Sequence, residues 1–130
     1  MLARIVGAVT DLSTRLVVTG AGIYASIGTV ALAAPEAVPR MFGGRALTPA
    51  LRTEVRAVYG GLPLAFAVSL ARSTRAADRG ALSGVATASA GMAIGRLVGC
   101  VLEGQLQPWP TGAFLLLETA LAGALFAASE

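Results

Sequence analysis

The stretch LVVTGAGIYASIGTVALAAP, residues 16–35, decides the fold class. Its twenty positions carry no charge. Twenty helical residues rise roughly 30 Å, one hydrocarbon thickness. Arg15 bounds one end, and Pro35 and Glu36 bound the other. The spacing predicts a membrane-spanning helix. The string Ala31-Leu32-Ala33-Ala34-Pro35 also has the small-residue look of a signal-peptide cleavage site. The apolar stretch exceeds a typical signal core, so a retained span is the preferred reading.

The whole chain has the same character. Of 130 residues, 55% are hydrophobic and 13% charged, about half the charged share of a soluble domain. Mean hydropathy is +0.74. There are 27 Ala and 16 Gly, so a third of the chain is nearly free of side chains. This composition excludes a disordered tail, a disulfide scaffold and an ordinary soluble enzyme. The absence of His removes imidazole catalysis and His-ligated metals. The lone Cys100 has no partner for an internal disulfide and reads as a small packing residue. All ten basic residues are Arg, so Schiff-base chemistry and a lysine phosphate loop are excluded. The net charge of +3 is spread along the chain with few aromatics, a pattern of membrane-edge anchors rather than a nucleic-acid surface.

Three further spans are predicted, each interrupted. Thr48-Pro49 has the form of an N-cap with proline at the first helical position, opening a span over 49–71 that contains Arg56. Gly60, Gly61 and Pro63 interrupt it, and Pro63 is expected to kink it. A third helix, 79–103, starts after Asp78, contains Arg96 and closes on Gly104. A fourth, 111–129, contains Glu118. The expected fold is all-α: one polytopic domain, 1–130, with four transmembrane helices in a bundle. Before the first span, Leu2, Ile5, Val6, Val9 and Leu12 fall at helical spacing, as an interfacial amphipathic turn or an extension of the span.

Four spans put both termini on one side. That side holds Arg4, Arg15, Arg72, Arg75 and Arg79; the other holds Arg40, Arg45 and Arg52, with Arg56 at its edge. The bias of basic residues places both termini in the cytoplasm. Trp109 and two prolines stiffen the loop between the third and fourth spans.

The intramembrane charges are the informative feature. Arg96 lies roughly 9 Å of helix rise from Leu102, and Glu118 roughly 10 Å from Thr111. The two helices form a hairpin, so the charges are expected at matching depth. An ionised residue at a helix centre costs about 2.5–3.5 kcal/mol, which an Arg96–Glu118 ion pair relieves. Arg56 is expected at similar depth, with Glu54 and Glu103 nearer the surface. Tyr24, near mid-membrane, needs a partner for its hydroxyl, and Arg96 or Glu118 is expected to supply it. The candidate polar cluster is therefore Arg56, Arg96, Glu118, Tyr24, Tyr59, Glu54 and Glu103. A structural latch and a site for an anionic or proton ligand are the two readings of it. Gly91, Gly95 and Gly99 form a small-residue stripe, Gly22 and Ser26 repeat its spacing, and Gly60 and Gly61 sit on the second span. These are expected at helix contacts, within the bundle or with another subunit.

The strings EVRAVYGG (54–61), GRLVGCVLEGQLQPWP (95–110) and LLLETALA (115–122) resemble a family of bacterial four-span membrane proteins described only as a domain of unknown function. Arg56, Tyr59, Gly60, Gly61, Gly95, Arg96, Glu103, Gly104 and Glu118 match its pattern. Glu103-Gly104 stands where that family often has Asp-Gly, and Gly99 or Cys100 where it often has Ser. The resemblance covers nearly the whole chain and implies no known activity.

The function expected is non-enzymatic and needs no cofactor. It is an interaction or accessory subunit of a bacterial inner-membrane assembly, as a homo-oligomer or within a larger complex. The alternative is a carrier or binding protein for a small or lipid-soluble ligand at the Arg/Glu cluster. Small four-span exporters also carry a membrane glutamate, but in the first span, which here has no charge.

Overall fold

A computed structural model describes residues 1–76, 78–106 and 108–130; of Leu2, Ala50, Glu54, Ala76, Gly99 and Glu103 it describes the backbone only. Among the described residues the chain is helical throughout, with no strand. The helices are α1 (Leu2–Ala33), α2 (Ala37–Met41), α3 (Pro49–Val55), α4 (Leu62–Ala76), α5 (Arg79–Glu103) and α6 (Ala113–Ser129). A π-helical turn, Arg56–Gly61, joins α3 to α4. Three helical stretches, Ala3–Ala33, Arg79–Leu102 and Pro108–Ser129, are long and apolar enough to cross a membrane, which points to membrane association. The segment from Pro49 to Ala76 packs among them. Glu54, Arg56, Gly60, Gly61 and Pro63 dilute its apolar character.

Local chemistry sets the element ends. Thr48 is extended (φ −67°, ψ 161°) and its hydroxyl accepts from the Leu51 N–H at 3.2 Å, with Pro49 at the first helical position. That satisfies one of the free amide donors at a helix start. Asp78 does the same for α5, accepting from the Ala81 N–H at 3.0 Å. Gly104 closes α5 in the left-handed region at φ 66°, letting the Gln105 N–H reach the Cys100 carbonyl at 3.1 Å. The expected kink at Pro63 takes the form of the wide turn just before it. Proline lacks an N–H, and its ring crowds the carbonyl four residues back. In the widened turn the Leu62 N–H bonds the Ala57 carbonyl, five residues back.

The first helix runs unbroken from Leu2, so of the two readings of the lead-in the structure selects the extension of the first helix. Ala3 to Leu12 are exposed along its whole circumference.

Each long segment packs on two others: α1 on α4 and α6, and α5 on α4 and α6. The core holds Val17 and Tyr24 of α1, Ala67 and Leu70 of α4, Leu82, Val85 and Ala86 of α5, and Leu121 and Leu125 of α6. Leu70 and Leu125 are fully buried. Helices α1 and α4 approach closest where two glycines face each other. A Cβ on Gly28 would sit 2.7 Å from Leu64 Cγ and 2.8 Å from the Gly60 carbonyl oxygen. A Cβ on Gly60 would sit 2.7 Å from Leu32 Cδ2. Backbones therefore touch across this seam, the contact that small residues permit between helices in lipid.

Within the chain, the expected stripe on α5 is not a packing seam. Gly91 and Gly95 are exposed, and a Cβ on either meets nothing within 4 Å. Gly84 and Gly22 are equally open, and the side of Gly99 lies outside the described residues. Gly61 meets only the Arg56 carbonyl oxygen, at 3.8 Å. Helix α5 instead turns Leu82, Val85, Ala86, Ser89 and Ala93 inward. The glycines are displaced because the inward face must seat Ser89 opposite Tyr24.

The connection after α1 is held by one carboxylate. Glu36 accepts from the Leu47 N–H at 3.1 Å and from Arg52 Nη1 at 3.3 Å, and the same Nη1 donates to the Leu47 carbonyl at 2.9 Å. The Leu47 hydrogen bond, helped by Arg52, holds the Glu36 carboxyl below the usual carboxylate range. A carboxyl whose pKa is lowered on folding stabilises above its unfolded value and loses that contribution as pH falls through the folded value. Protection of the Leu47 amide in hydrogen exchange should therefore hold near neutral pH and fall in the acid range below ordinary carboxylate titration. Glu36→Gln should weaken it at every pH. Protection unchanged in both cases would show that the carboxylate does not hold the loop.

Candidate functional site

The hairpin of α5 and α6 brings Arg96 and Glu118 together as their depths predict. Arg96 Nε donates to Glu118 Oε2 at 2.7 Å and Nη2 to Oε1 at 2.8 Å. This is the two-pronged geometry that makes arginine–carboxylate pairs strong and directional. Glu118 is among the few buried polar residues, with a side chain 7% exposed against 25% for Arg96. The carboxylate is thus shielded and the guanidinium faces partly outward.

Phe114, one turn before Glu118, lies under the guanidinium, its ring centroid 5.2 Å from Arg96 Cζ. A cation over an aromatic face is attracted by the ring quadrupole. Phe114 also stacks against Phe42 at 6.3 Å and lies beside Trp109 at 6.4 Å. Trp109 is in extended backbone (φ −125°, ψ 135°), which ends the connection and lets α6 begin. An aromatic group from three separate segments therefore frames the outward side of Arg96. Sequence reasoning missed Phe42 and Phe114; the four-residue step from Phe114 to Glu118 was the available signal.

Tyr24 has a different partner from the one expected. Its hydroxyl hydrogen-bonds Ser89 of α5, whose own hydroxyl donates to the Val85 carbonyl at 2.9 Å. The ring packs edge-on against Phe66, centroids 5.2 Å apart at 76°. Glu118 lies within electrostatic reach of Tyr24 but is not its hydrogen-bond partner. Ser89 was passed over because a serine in an Ala/Gly-rich helix looks like one more small residue.

Arg56 also departs from expectation. Its Nε donates to the Leu32 carbonyl at 3.1 Å, in the last turn of α1. Leu32 is eight residues, roughly 12 Å of rise, beyond Tyr24. Arg56 therefore caps the carbonyl end of α1 at the edge of the fold, where a cation offsets the helix dipole. Tyr59 is exposed, within electrostatic reach of Arg96. The side chains of Glu54 and Glu103 lie outside the described residues. The polar centre shown is thus Arg96 with Glu118, flanked by Tyr24–Ser89 on the inner side and Phe114 on the outer.

A groove of about 600 Å³ runs along the outside of this centre. Thr19, Ile23 and Ile27 of α1 form one wall, and Trp109, Phe114 and Leu117 form the other. Arg96 stands behind Phe114. Among the described residues no protein group accepts from its Nη1, so the guanidinium keeps donors to spare.

A family model matches residues 12–129. The chain belongs to this family, a domain of unknown function (DUF4345). No curated protein and no solved structure matches the chain. The DUF4345 match takes in Arg56, Arg96, Glu118 and both glycines of the α1–α4 seam, and leaves out the first eleven residues, which form most of the free end of α1.

Proposed function

We propose that the chain spans a bacterial inner membrane four times as a helix bundle, with residues 49–71 as the additional span and both termini in the cytoplasm. It serves there as a non-enzymatic interaction or accessory subunit. One observation carries this reading: among the described residues, the one ion pair found deep in the spans, Arg96–Glu118, is closed on itself. Each oxygen of Glu118 accepts one hydrogen bond from Arg96, so the pair fixes the α5–α6 register. What remains for interaction is the outer surface. Purification in mild detergent followed by native mass spectrometry tests the role: a stoichiometric partner or defined oligomer is expected. A phosphatase fused after Glu130 tests the orientation, and low activity is expected. Strong activity overturns the cytoplasmic assignment.

A second reading has its own observation. The spare donors of Arg96 and the aromatic frame beside the groove suit a small or lipid-soluble molecule with an anionic or carbonyl group. In the same spectra, a retained small molecule lost on Phe114→Ala would favour it over the subunit reading.

A further inference from the structure

The bundle is sealed over only part of its length. On α5, Ser89 and Ala93 are buried, but Arg96 and Cys100, which continue their stripe in steps of three and four, are half-buried. On α6, Leu125, Leu121 and Glu118 are buried and Phe114, four residues before Glu118, is half-buried. On the second segment Leu70 and Ala67 are buried, Phe66 and Pro63 are half-buried and Tyr59 is exposed. Three inward stripes thus lose their cover toward the end that carries α2 and Trp109. The apolar core runs no further toward that end than Tyr24 of α1 and Ala67 of α4.

The helices stay paired there while the pairs part. The Gly28–Gly60 seam keeps α1 on the second segment, and the ion pair keeps α5 on α6. Helix α5 packs on α4 but scarcely on the π-helical turn before it. The interior between the two pairs is therefore open, with Arg96–Glu118 at its inner end, Tyr59 on one side and Phe114 on the other. Among the described residues no buried side-chain nitrogen or oxygen lacks a partner. Arg96 Nη1 has none, so it is open to whatever fills this space. The Tyr59 hydroxyl, within electrostatic reach of Arg96, makes no hydrogen bond among the described residues. The groove of about 600 Å³ meets the opening at Phe114, whose ring lines the one and underlies Arg96 in the other.

We propose that this opening binds the head of a neutral, planar, carbonyl-bearing lipid, a quinone in chemical class. The proposal rests on the binding reading above and chooses between its two kinds of ligand. Arg96 is already neutralised by Glu118, so a bound carboxylate or phosphate would leave a net negative charge in a poorly hydrated interior, close to a second carboxylate. A carbonyl oxygen accepts from Nη1 and from the Tyr59 hydroxyl and adds no charge. Flat aromatic walls suit a flat ring, and the apolar groove past Phe114 takes the tail.

Trp109 is the only tryptophan of the chain, 64% exposed and beside Phe114, and quinones quench indole fluorescence. Titration of the purified protein in mild detergent with a decyl-substituted benzoquinone is expected to give saturable quenching. The double change Arg96→Leu with Glu118→Leu removes the donor without stranding a charge, and should weaken binding about ten-fold or more, as for a lost hydrogen bond to a charged group. Tyr59→Phe, at an exposed position where folding is not at risk, should weaken it several-fold. Dodecanoate at the same concentration should not displace the quinone. Quenching that never saturates and is the same in all three proteins is partition into detergent and overturns the proposal. Displacement by dodecanoate overturns the neutral head and leaves the binding reading standing. Failure of both probes to bind, with no small molecule retained in the native mass spectra, ends the proposal and that reading together.

Discussion

Arg96→Leu and Glu118→Leu should each lower the folded yield sharply, and the double change should recover most of the loss. Breaking a buried ion pair by removing one partner costs about 3–5 kcal/mol in soluble proteins, because the other charge is left without compensation. The two single changes are not equivalent here. Glu118 is the more deeply shielded partner, with 7% of its side chain exposed. A carboxylate stranded there has no counter-charge and little access to water. Arg96 stays charged at any ordinary pH, but its 25% exposure and long stem let it turn toward the headgroups. Arg96→Leu should therefore be the worse of the two near neutral pH. In the double variant no orphan charge remains, and two leucines pack an apolar hairpin. Thermal unfolding in detergent, run as a double-mutant cycle, gives the coupling directly. Additive losses would mean that the two-pronged contact contributes nothing to folding. The recovered double variant then separates roles: retained cellular function marks a latch, and a lost ligand or partner marks a site.

The second large effect belongs to Gly28. A methyl group there would press on Leu64 Cγ at 2.7 Å and on the Gly60 carbonyl oxygen at 2.8 Å. The latter is backbone and has no rotamer with which to retreat. Overpacking of this kind costs about 1–3 kcal/mol, and Gly28→Ala should reach the upper end of that range. Gly60→Ala should cost less, because its nearest neighbour is the Leu32 side chain, itself 39% exposed and able to swing outward. Gly95→Leu should leave stability within about 0.5 kcal/mol, as for an ordinary surface change. Midpoints of thermal unfolding should rank Gly28→Ala lowest, then Gly60→Ala, with Gly95→Leu at the parent value. A drop for Gly95→Leu equal to that for Gly28→Ala would mean that the α5 stripe is a contact after all.

Those two outcomes mark what the sequence makes legible. Arg96 and Glu118 were readable because a short loop fixes the depth of both, whatever the helices' rotation. Thr48-Pro49, Asp78 and Gly104 were readable because caps are local chemistry. Rotation is another matter. Helix α5 offers two small faces, one through Gly84, Gly91 and Gly95 and one through Ala86, Ser89 and Ala93. Spacing alone does not choose between them. The choice is made across the fold, by the Tyr24 hydroxyl that needs Ser89. The partner of Arg56 was hidden for a related reason: the Leu32 carbonyl it meets is set by where α1 ends, and Glu36 ties that end to the start of the second segment through a fifteen-residue connection.

An arginine bound on two nitrogens to a glutamate carries no net charge, and this matters for the electric field across an energised membrane. A single elementary charge moved through the full potential exchanges about 2.3 kcal/mol per 100 mV. A lone Arg96 or Glu118 part-way across would feel a fraction of that and be pushed along the normal as the potential rose and fell. The closed pair feels only the difference across its own 2.7–2.8 Å bonds. In the spanning arrangement the hairpin is therefore electrically quiet, keeping one register whether the cell is energised or not.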